Sequence, residues 1–378
     1  MLAALRFPVE RSQGRQYPEP EHPYRTAFQR DRDRIIHSRA FRRLEAKTQV
    51  FAPGLSDHFR NRLTHTIEVA QIARTLAGVL ELDDDLTEAL ALGHDIGHPP
   101  FAHAGEEELD RQMQRFGERF GHNLHALRIV DSFEQRYARF PGLNLTFEVR
   151  EGIVKHSCDY APGELAEADE LLSGLRPPLE AQLIDLADEV AYNTADLDDA
   201  FSAGLLTAED VAAFVPQYRP IYEAVETQFP GATDRQRFHE GLRQLIDTLV
   251  TGLIEGTVKN AGRSGAGSVD DVRRHPARLA AFTAQPAEAS RRLKQLLFRK
   301  VYDSPALRED RRRSMAMIGE LFQFFLDFPQ NLPPPYCQQV HSASPHRVVC
   351  DYIAGMTDAF FLRTYEQHIG PPATPQPS

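Results

Sequence analysis

The chain has 378 residues, 42% of them hydrophobic, which is ample for a large core and exceeds an ordinary single domain. Its formal net charge of -11 argues against a protein devoted to wrapping nucleic acid, and no apolar run approaches the ~20 residues of a membrane span. Three widely spaced cysteines, Cys158, Cys337 and Cys350, speak against a disulfide framework and for buried thiols in a reducing cytoplasm; Met1 to Phe7 carries no signal-peptide pattern.

From Arg11 to Pro23 the chain is polar and proline-bearing and reads as extended on the surface. Between Tyr24 and Leu44, Arg25, Arg30, Arg32, Arg34, Arg39, Arg42 and Arg43 alternate with Phe28, Ile35, Ile36, Phe41 and Leu44. The apolar members step at helical intervals, so one or two arginine-rich amphipathic helices are expected. Spacing alone favours a solvated face with Asp31 and Asp33 as partners; the rival is a guanidinium cluster for a polyphosphate. Lys47 to Phe51 reads as a short extended piece before a turn at Pro53-Gly54.

The next helix carries Leu63, Ile67, Ala70, Ala73, Ala77 and Leu80 at steps of three and four, with Arg62 and His65 near its start. Another opens on Asp83-Asp84-Asp85, acids that suit the positive end of a helix dipole, and is stopped by Gly97 and Pro99-Pro100. His94 and Asp95 are expected in its last turn, with His98 one turn on along the same face and His103 beyond the break. A further helix opens at Ala104 to Leu109. There Glu106 reads either as a first-turn acid or as a carboxylate orienting His103. The pattern breaks at Arg119 to Asn123, where His122 alone is unremarkable, and resumes from Leu124 to Phe133.

Leu179, Leu183, Leu186, Val190 and Leu197 make an apolar stripe, and Asp188, Tyr192 and Asp196 a polar one at i, i+4 and i+8. A solvated acidic face explains the polar stripe by default. The tyrosine between two acids suggests a pocket instead, with Asp188 as a ligand and Asp196 accepting from a sugar hydroxyl. Beyond Ala208 amphipathic helices are expected over Val211 to Phe229, Phe238 to Ile254, Arg291 to Tyr302, Ser314 to Phe328 and Val348 to Tyr365. They are separated by a glycine-rich mobile stretch, Gly256 to Gly267, and the proline-rich Pro329 to Pro345. Strand signals are scarce, so the fold class is all-α with at most a short hairpin, and residues 370–378 read as a disordered tail.

His65, His94, Asp95 and Asp188 together offer two imidazoles and two carboxylates from three helices. Such a set can enclose one divalent ion and leave positions for water and a phosphate oxygen. Mixed nitrogen and oxygen donors favour Mn, Fe, Co, Ni or Zn, with Mg arriving with the substrate.

This pattern is that of the HD superfamily of metal-dependent phosphohydrolases. Ile36 to Leu44, Lys47 to Phe51, Asn61 to His65, Gly93 to His103 and Asp188 to Tyr192 resemble, in order, the bacterial deoxyguanosine triphosphate triphosphohydrolases, with a weaker echo in Arg347 to Asp358. The match covers most of residues 24–200. The modest length resembles the shorter branch of that family, whose members often act on several dNTPs. The resemblance implies one large all-α domain over 1–378: arginine-rich helices at 24–51, an HD metal-binding core at 62–200 and a C-terminal helical region at 201–369. It implies hydrolysis of a dNTP at the α-phosphorus to a deoxynucleoside and tripolyphosphate. His103 matches the catalytic histidine and Glu106 its carboxylate partner. His98 and His122 match phosphate-facing histidines, Arg62 a phosphate-contacting arginine and Gln49 a residue near the sugar; Tyr192 matches the aromatic on the deoxyribose, Asp196 the carboxylate near the 3′-hydroxyl. Whether His103 protonates the departing 5′-oxygen or manages the proton of water is left open. A homo-oligomer, tetramer or hexamer, is implied. The alternatives are an HD phosphatase acting on another nucleotide, or a protein binding single-stranded nucleic acid with a vestigial metal site.

Overall fold

The computed structural model describes residues 1–49, 60–164 and 166–370. Among them are 18 α-helices and no sheet. Among the described residues extended pairing is confined to isolated bridges of Arg15 with Thr146, Thr48 with Asn61 and Gln135 with Gly142, so the fold is all-α. In chain order the helices are α1 Ala27–Ile36, α2 Arg39–Arg43, α3 Arg62–Leu80, α4 Asp84–Gly93, α5 Ala102–Gln114, α6 His122–Arg128, α7 Phe147–Lys155, α8 Ala166–Asp169 and α9 Leu179–Ser202. They continue as α10 Ala208–Phe214, α11 Arg219–Gln228, α12 Asp234–Ser264, α13 Val269–Arg274, α14 Ala284–Leu297, α15 Pro305–Asp327, α16 Pro334–Gln339, α17 Pro345–Ala354 and α18 Asp358–His368. No helix among them is long and apolar enough to cross a membrane.

Helix starts are fixed by side-chain caps. Asn61 accepts from the Thr64 N–H at 2.9 Å and Asp83 from the Leu86 N–H at 2.9 Å, which sets the phase of α3 and α4 and hence of the histidines they carry. α3 buries Val69, Ala73, Leu76 and Leu80 against α4 and α9, while Ile67, expected on the apolar stripe, remains 53% exposed. α1 and α7 cover α4, and α12 and α14 cover α9. A second core, including Leu109, Met113, Phe322, Val349 and Phe361, gathers α5, α15, α17 and α18.

Several expectations need correction. Gly256 to Gly267 is not a mobile stretch, because α12 runs through to Ser264. Gly256 serves close packing, since a Cβ there would stand 2.1 Å from the Ala281 carbonyl oxygen, while Gly265 ends the helix in the left-handed region. Val211 to Phe229 is two helices, interrupted around Pro216, and Val348 to Tyr365 is likewise divided at Gly355 to Thr357. Arg291 to Tyr302 starts earlier, as α14, and ends in a π-helical turn at Phe298–Tyr302. The proline-rich Pro329 to Pro345 contains α16, because prolines at its start have no N–H to lose there. Of the cysteines only Cys350 is buried; Cys158 is exposed, and none is bonded. The Arg11 to Pro23 strap is extended but anchored, with Arg15 buried against Asp31. The Pro53-Gly54 turn, Val50 and Phe51, and residues 371–378 lie outside the described residues.

The arginine-rich segment makes intramolecular pairs. Arg25 reaches Asp33 at 2.7 Å, Arg32 reaches Glu88 at 3.1 Å, and the buried Arg34 reaches Glu19 at 2.6 Å and the Leu143 carbonyl at 2.9 Å. Asp31 and Asp33 are partners, as the spacing favoured, although Arg15 and Arg34 are far from solvated.

Candidate active site

α3, the end of α4 and the middle of α9 converge on one point. His65, in the first turn of α3, is 1% exposed, and its Nε2 lies 2.8 Å from Asp188 Oδ1. α4 closes at Gly93, so His94 caps the helix rather than filling its last turn. Its Nδ1–H donates to the Ala91 carbonyl at 2.6 Å, which directs Nε2 toward Asp188, 3.8 Å away, and Asp95, 3.5 Å away. Donor atoms of His65, His94 and Asp188 lie within 4.8 Å of one another, and His94 Nε2 is buried without a hydrogen-bond partner. Ligands sharing one ion at ~2.1 Å stand about 3 Å apart, so the residues present fit a divalent cation.

Asp95 stands beside this trio. Its Oδ2 accepts from Arg62 Nη1 at 2.7 Å, and its Oδ1 lies 3.0 Å from His98 Nδ1. Burial would raise the Asp95 carboxyl, but Arg62, His98 and His94 hold it well below its usual range. Burial likewise opposes ionisation of Asp188, and His65 and His94 overcome it. At His94 burial favours the neutral ring, yet the Asp95 and Asp188 charges carry its imidazolium up to about 9.

His98 leaves the line of His94 because the helix has ended. Its ring stacks on His122 at 3.8 Å, and burial with the nearby Arg62 and His122 keeps it neutral. Glu106 takes a different partner from the one expected. Its Oε1 accepts from the His122 backbone N–H at 2.9 Å and lies 2.7 Å from His122 Nδ1, while Oε2 is 3.9 Å from His103 Nδ1. Burial would raise Glu106, but His122 and His103 hold it far below the carboxylate range. The His103 side chain is 69% exposed, at the mouth of the site. Phe101 and Ala102, which launch it, both sit in the left-handed region with φ of 60° and 53°.

Asp188, Tyr192 and Asp196 do share one face of α9; Asp188 and Tyr192 line a pocket, and Asp196 lies buried beyond them. Gln49, His103, Tyr192, Phe298 and Tyr302 belong to a cleft of about 320 Å³, which adjoins one of about 380 Å³ reaching Asp188. Tyr302, just after α14, stacks on Tyr192 with ring centroids 6.0 Å apart and donates its hydroxyl to Asp196. Burial pushes the Asp196 carboxyl up to about 7 despite that bond. Arg62 donates to Asp95 through Nη1, and its Nε is buried without a partner. A larger cleft of about 690 Å³, between α1, α3 and α4, holds no such group of ligands and lies apart from these residues.

Sequence reasoning missed two participants. Tyr302 follows an amphipathic helix with no motif around it. His156 ends α7, a segment not singled out at all; its ring stands 5.7 Å from both His94 and His122, and burial with those neighbours brings it down to about 3. The signal available was the dense polar content of α7, whose Glu148, Arg150, Glu151 and Lys155 are all buried.

Three helices presenting two imidazoles and a carboxylate to one point, with a histidine-lined cleft beside it, define an HD-domain phosphohydrolase. The HD domain family matches residues 62–193, and a phosphohydrolase-associated domain matches residues 280–367. The chain is 44% identical over 362 residues to a deoxyguanosinetriphosphate triphosphohydrolase-like protein of Geobacter sulfurreducens, covering 96% of this chain and 93% of that one. It is 45% identical over 370 residues to the protein of that name from Bordetella pertussis, covering 97% and 96%, and 43% identical to that from Caulobacter vibrioides, covering 94% and 93%. The chain therefore belongs to the deoxyguanosinetriphosphate triphosphohydrolase-like proteins.

Proposed function

We propose that this phosphohydrolase cleaves deoxynucleoside triphosphates, dGTP and other dNTPs, at the α-phosphorus, releasing deoxynucleoside and tripolyphosphate. The observation that carries the reading is the adjacency of the His65, His94 and Asp188 group to a cleft lined by Tyr192, His103 and Tyr302, with Asp196 buried behind the Tyr302 hydroxyl. His65, His94, Asp95 and Asp188 would hold one divalent cation, Mn, Fe, Co, Ni or Zn. When bound, it supplies a Lewis acid at the α-phosphate and lowers the pKa of water there.

The chain's own residues do the rest. Water oxygen bonds to the α-phosphorus as the bond to the 5′-oxygen breaks, and the proton that water gives up balances the one the 5′-oxygen takes; His103 handles one of these two transfers, and Glu106 steadies the histidines around it. His98, which burial keeps neutral, and His122, with Arg62 behind them, face the phosphates. Tyr192 packs on the deoxyribose where a 2′-hydroxyl would crowd it, Gln49 lies near the sugar, and Asp196 takes the 3′-hydroxyl. The active protein is a homo-oligomer in the cytoplasm.

The test is to supply each dNTP alone and then all four together with Mn and to follow tripolyphosphate. Its release is expected; a monophosphate, diphosphate or cyclic-nucleotide product instead would establish the other HD phosphatase reading. His103→Ala is expected to lose most turnover while retaining metal, and near-normal activity in that variant refutes the proton-transfer role.

A further inference from the structure

We propose that Asp358, in the C-terminal segment and remote from the metal-ligand group, is a positioning residue for both rims of the cleft, setting His103 through Phe101 and Gln49 through Thr48. The proposal rests on the functional reading above, because the groups it positions are those assigned to the substrate.

Neither rim is placed by the interior of a regular element: His103 stands in the first turn of α5, whose entry has to be fixed from outside. Gln49 follows a single bridge at Thr48, and His103 follows two consecutive non-glycine residues in the left-handed region, a conformation that persists only where surroundings hold it. Asp358 meets both. Its Oδ1 accepts from the Phe101 N–H at 3.0 Å, while Oδ2 accepts from the Thr48 N–H at 2.8 Å and from the Thr48 hydroxyl. The carboxylate is 6% exposed and opens α18, where the positive end of the helix dipole favours it.

Neighbouring contacts stiffen the same joint. The Phe101 ring meets the fully buried Phe361 edge-on, with centroids 5.1 Å apart at 86°. Lys47, also buried, donates to the His98 carbonyl and, at 3.3 Å, to the Ala354 carbonyl at the end of α17. A carboxylate serving only to join the C-terminal segment to the rest would need one of these anchor points. Three donors on two separated rims, each one or two residues from a substrate group, are what positioning requires.

The experiment uses the full-length, manganese-loaded protein and its Asp358→Asn variant. The amide side chain keeps the shape but presents an N–H to one of the rim donors. Amide hydrogen exchange is followed at 45–49 and 99–105 against 62–66 and 186–196, alongside metal content and kcat and KM for dGTP. Expected are normal metal content, faster exchange confined to the two rims, and a kcat loss of about 10- to 100-fold with a raised KM. Ala102→Gly combined with Asp358→Asn should return part of kcat, since glycine adopts a left-handed φ without a Cβ penalty. Unchanged rim exchange overturns the proposal, as does exchange raised uniformly with activity tracking only the folded fraction. Should Asp358→Asn fail to fold, Thr48→Ala carries the test: a raised KM with kcat within about twofold supports it, and an unchanged KM overturns it. If the wild-type protein hydrolyses no dNTP, the functional reading falls while the exchange pattern still decides whether Asp358 holds the rims.

Discussion

Metal binding at this site should be coupled to release of one proton, and the coupling can be sized from His94. Its imidazole, ordinarily near 6.5, is carried up to about 9 by Asp95 and Asp188 against the opposing effect of burial. Only the neutral ring can give its Nε2 lone pair to a cation. At pH 7 the protonated form exceeds the neutral one by about 100-fold, so the apparent metal affinity lies about 100-fold, or ~2.7 kcal/mol, below its limiting value. Affinity should therefore climb about tenfold per pH unit between 6 and 8 and level off above about 9. The stability signs differ between the two forms. In metal-free protein the raised His94 contributes stability that is fully present below about 6.5 and lost as pH rises through about 9, whereas the stabilisation gained on adding metal grows over that interval. Calorimetric titration with manganese in two buffers of different ionisation enthalpy counts the protons directly. Release near zero at pH 7, with affinity flat from pH 6 to 8, would refute the reasoning.

Three further outcomes can be checked. Because burial pushes Asp196 up to about 7, kcat/KM for a dNTP should fall about tenfold per unit below pH 7, and Asp196→Asn should abolish that limb; a limb that persists in the variant assigns it elsewhere. Gly97→Ala would set a Cβ 2.0 Å from the His122 carbonyl oxygen and 2.5 Å from the Ala126 nitrogen, both backbone atoms, so α6 must shift and part His122 from His98. A loss of about 3 kcal/mol by calorimetry, with reduced turnover, is expected, and a variant as stable and active as the parent contradicts it. Glu180 is buried, accepts from the Phe7 and Asp83 N–H groups and is pushed up to about 7, so its contribution is fully present below about 4.5 and lost as pH rises through 7. Glu180→Gln keeps an acceptor and should be more stable than the parent at pH 8.5 by up to about 3 kcal/mol; equal melting temperatures at that pH would count against a neutral buried carboxyl.

The parts of the site legible in the sequence were those where chemistry and local structure coincide. His65 sits one turn inside a helix announced by its Asn61 cap, and the His94-Asp95 pair sits where an acidic-started helix meets glycine and proline. Asp188, Tyr192 and Asp196 were recoverable because helical periodicity puts i, i+4 and i+8 on one line whatever the tertiary fold. What periodicity cannot convey is which partner a side chain chooses. Glu106 lies three residues from His103, yet its closer contact is His122, sixteen residues on, because the first residue of α6 meets the first turns of α5. Tyr302 reaches Asp196 across 106 positions and Asp358 reaches Phe101 across 257, separations at which no local pattern carries information. Gly256 of α12 misled for a related reason: in isolation glycine weakens a helix, and only the loop at 281–286, packed against Gly252 and Gly256, explains its presence.

The charges around His94 also explain why a cation matters to an anionic substrate here. Without it, the Asp95 and Asp188 carboxylates face the Arg62 guanidinium and the His94 imidazolium, and the formal charge comes to zero. A divalent cation that displaces the His94 proton leaves the same carboxylates and guanidinium with one positive charge in excess, in a buried setting where screening is weak. Arg62 donates one N–H to Asp95, so part of its contribution is to hold that carboxylate in place and cancel part of its charge. Replacing Arg62 by glutamine should therefore raise the Asp95 carboxyl toward its ordinary range and weaken attraction for a triphosphate, even if Arg62 never touches a phosphate oxygen.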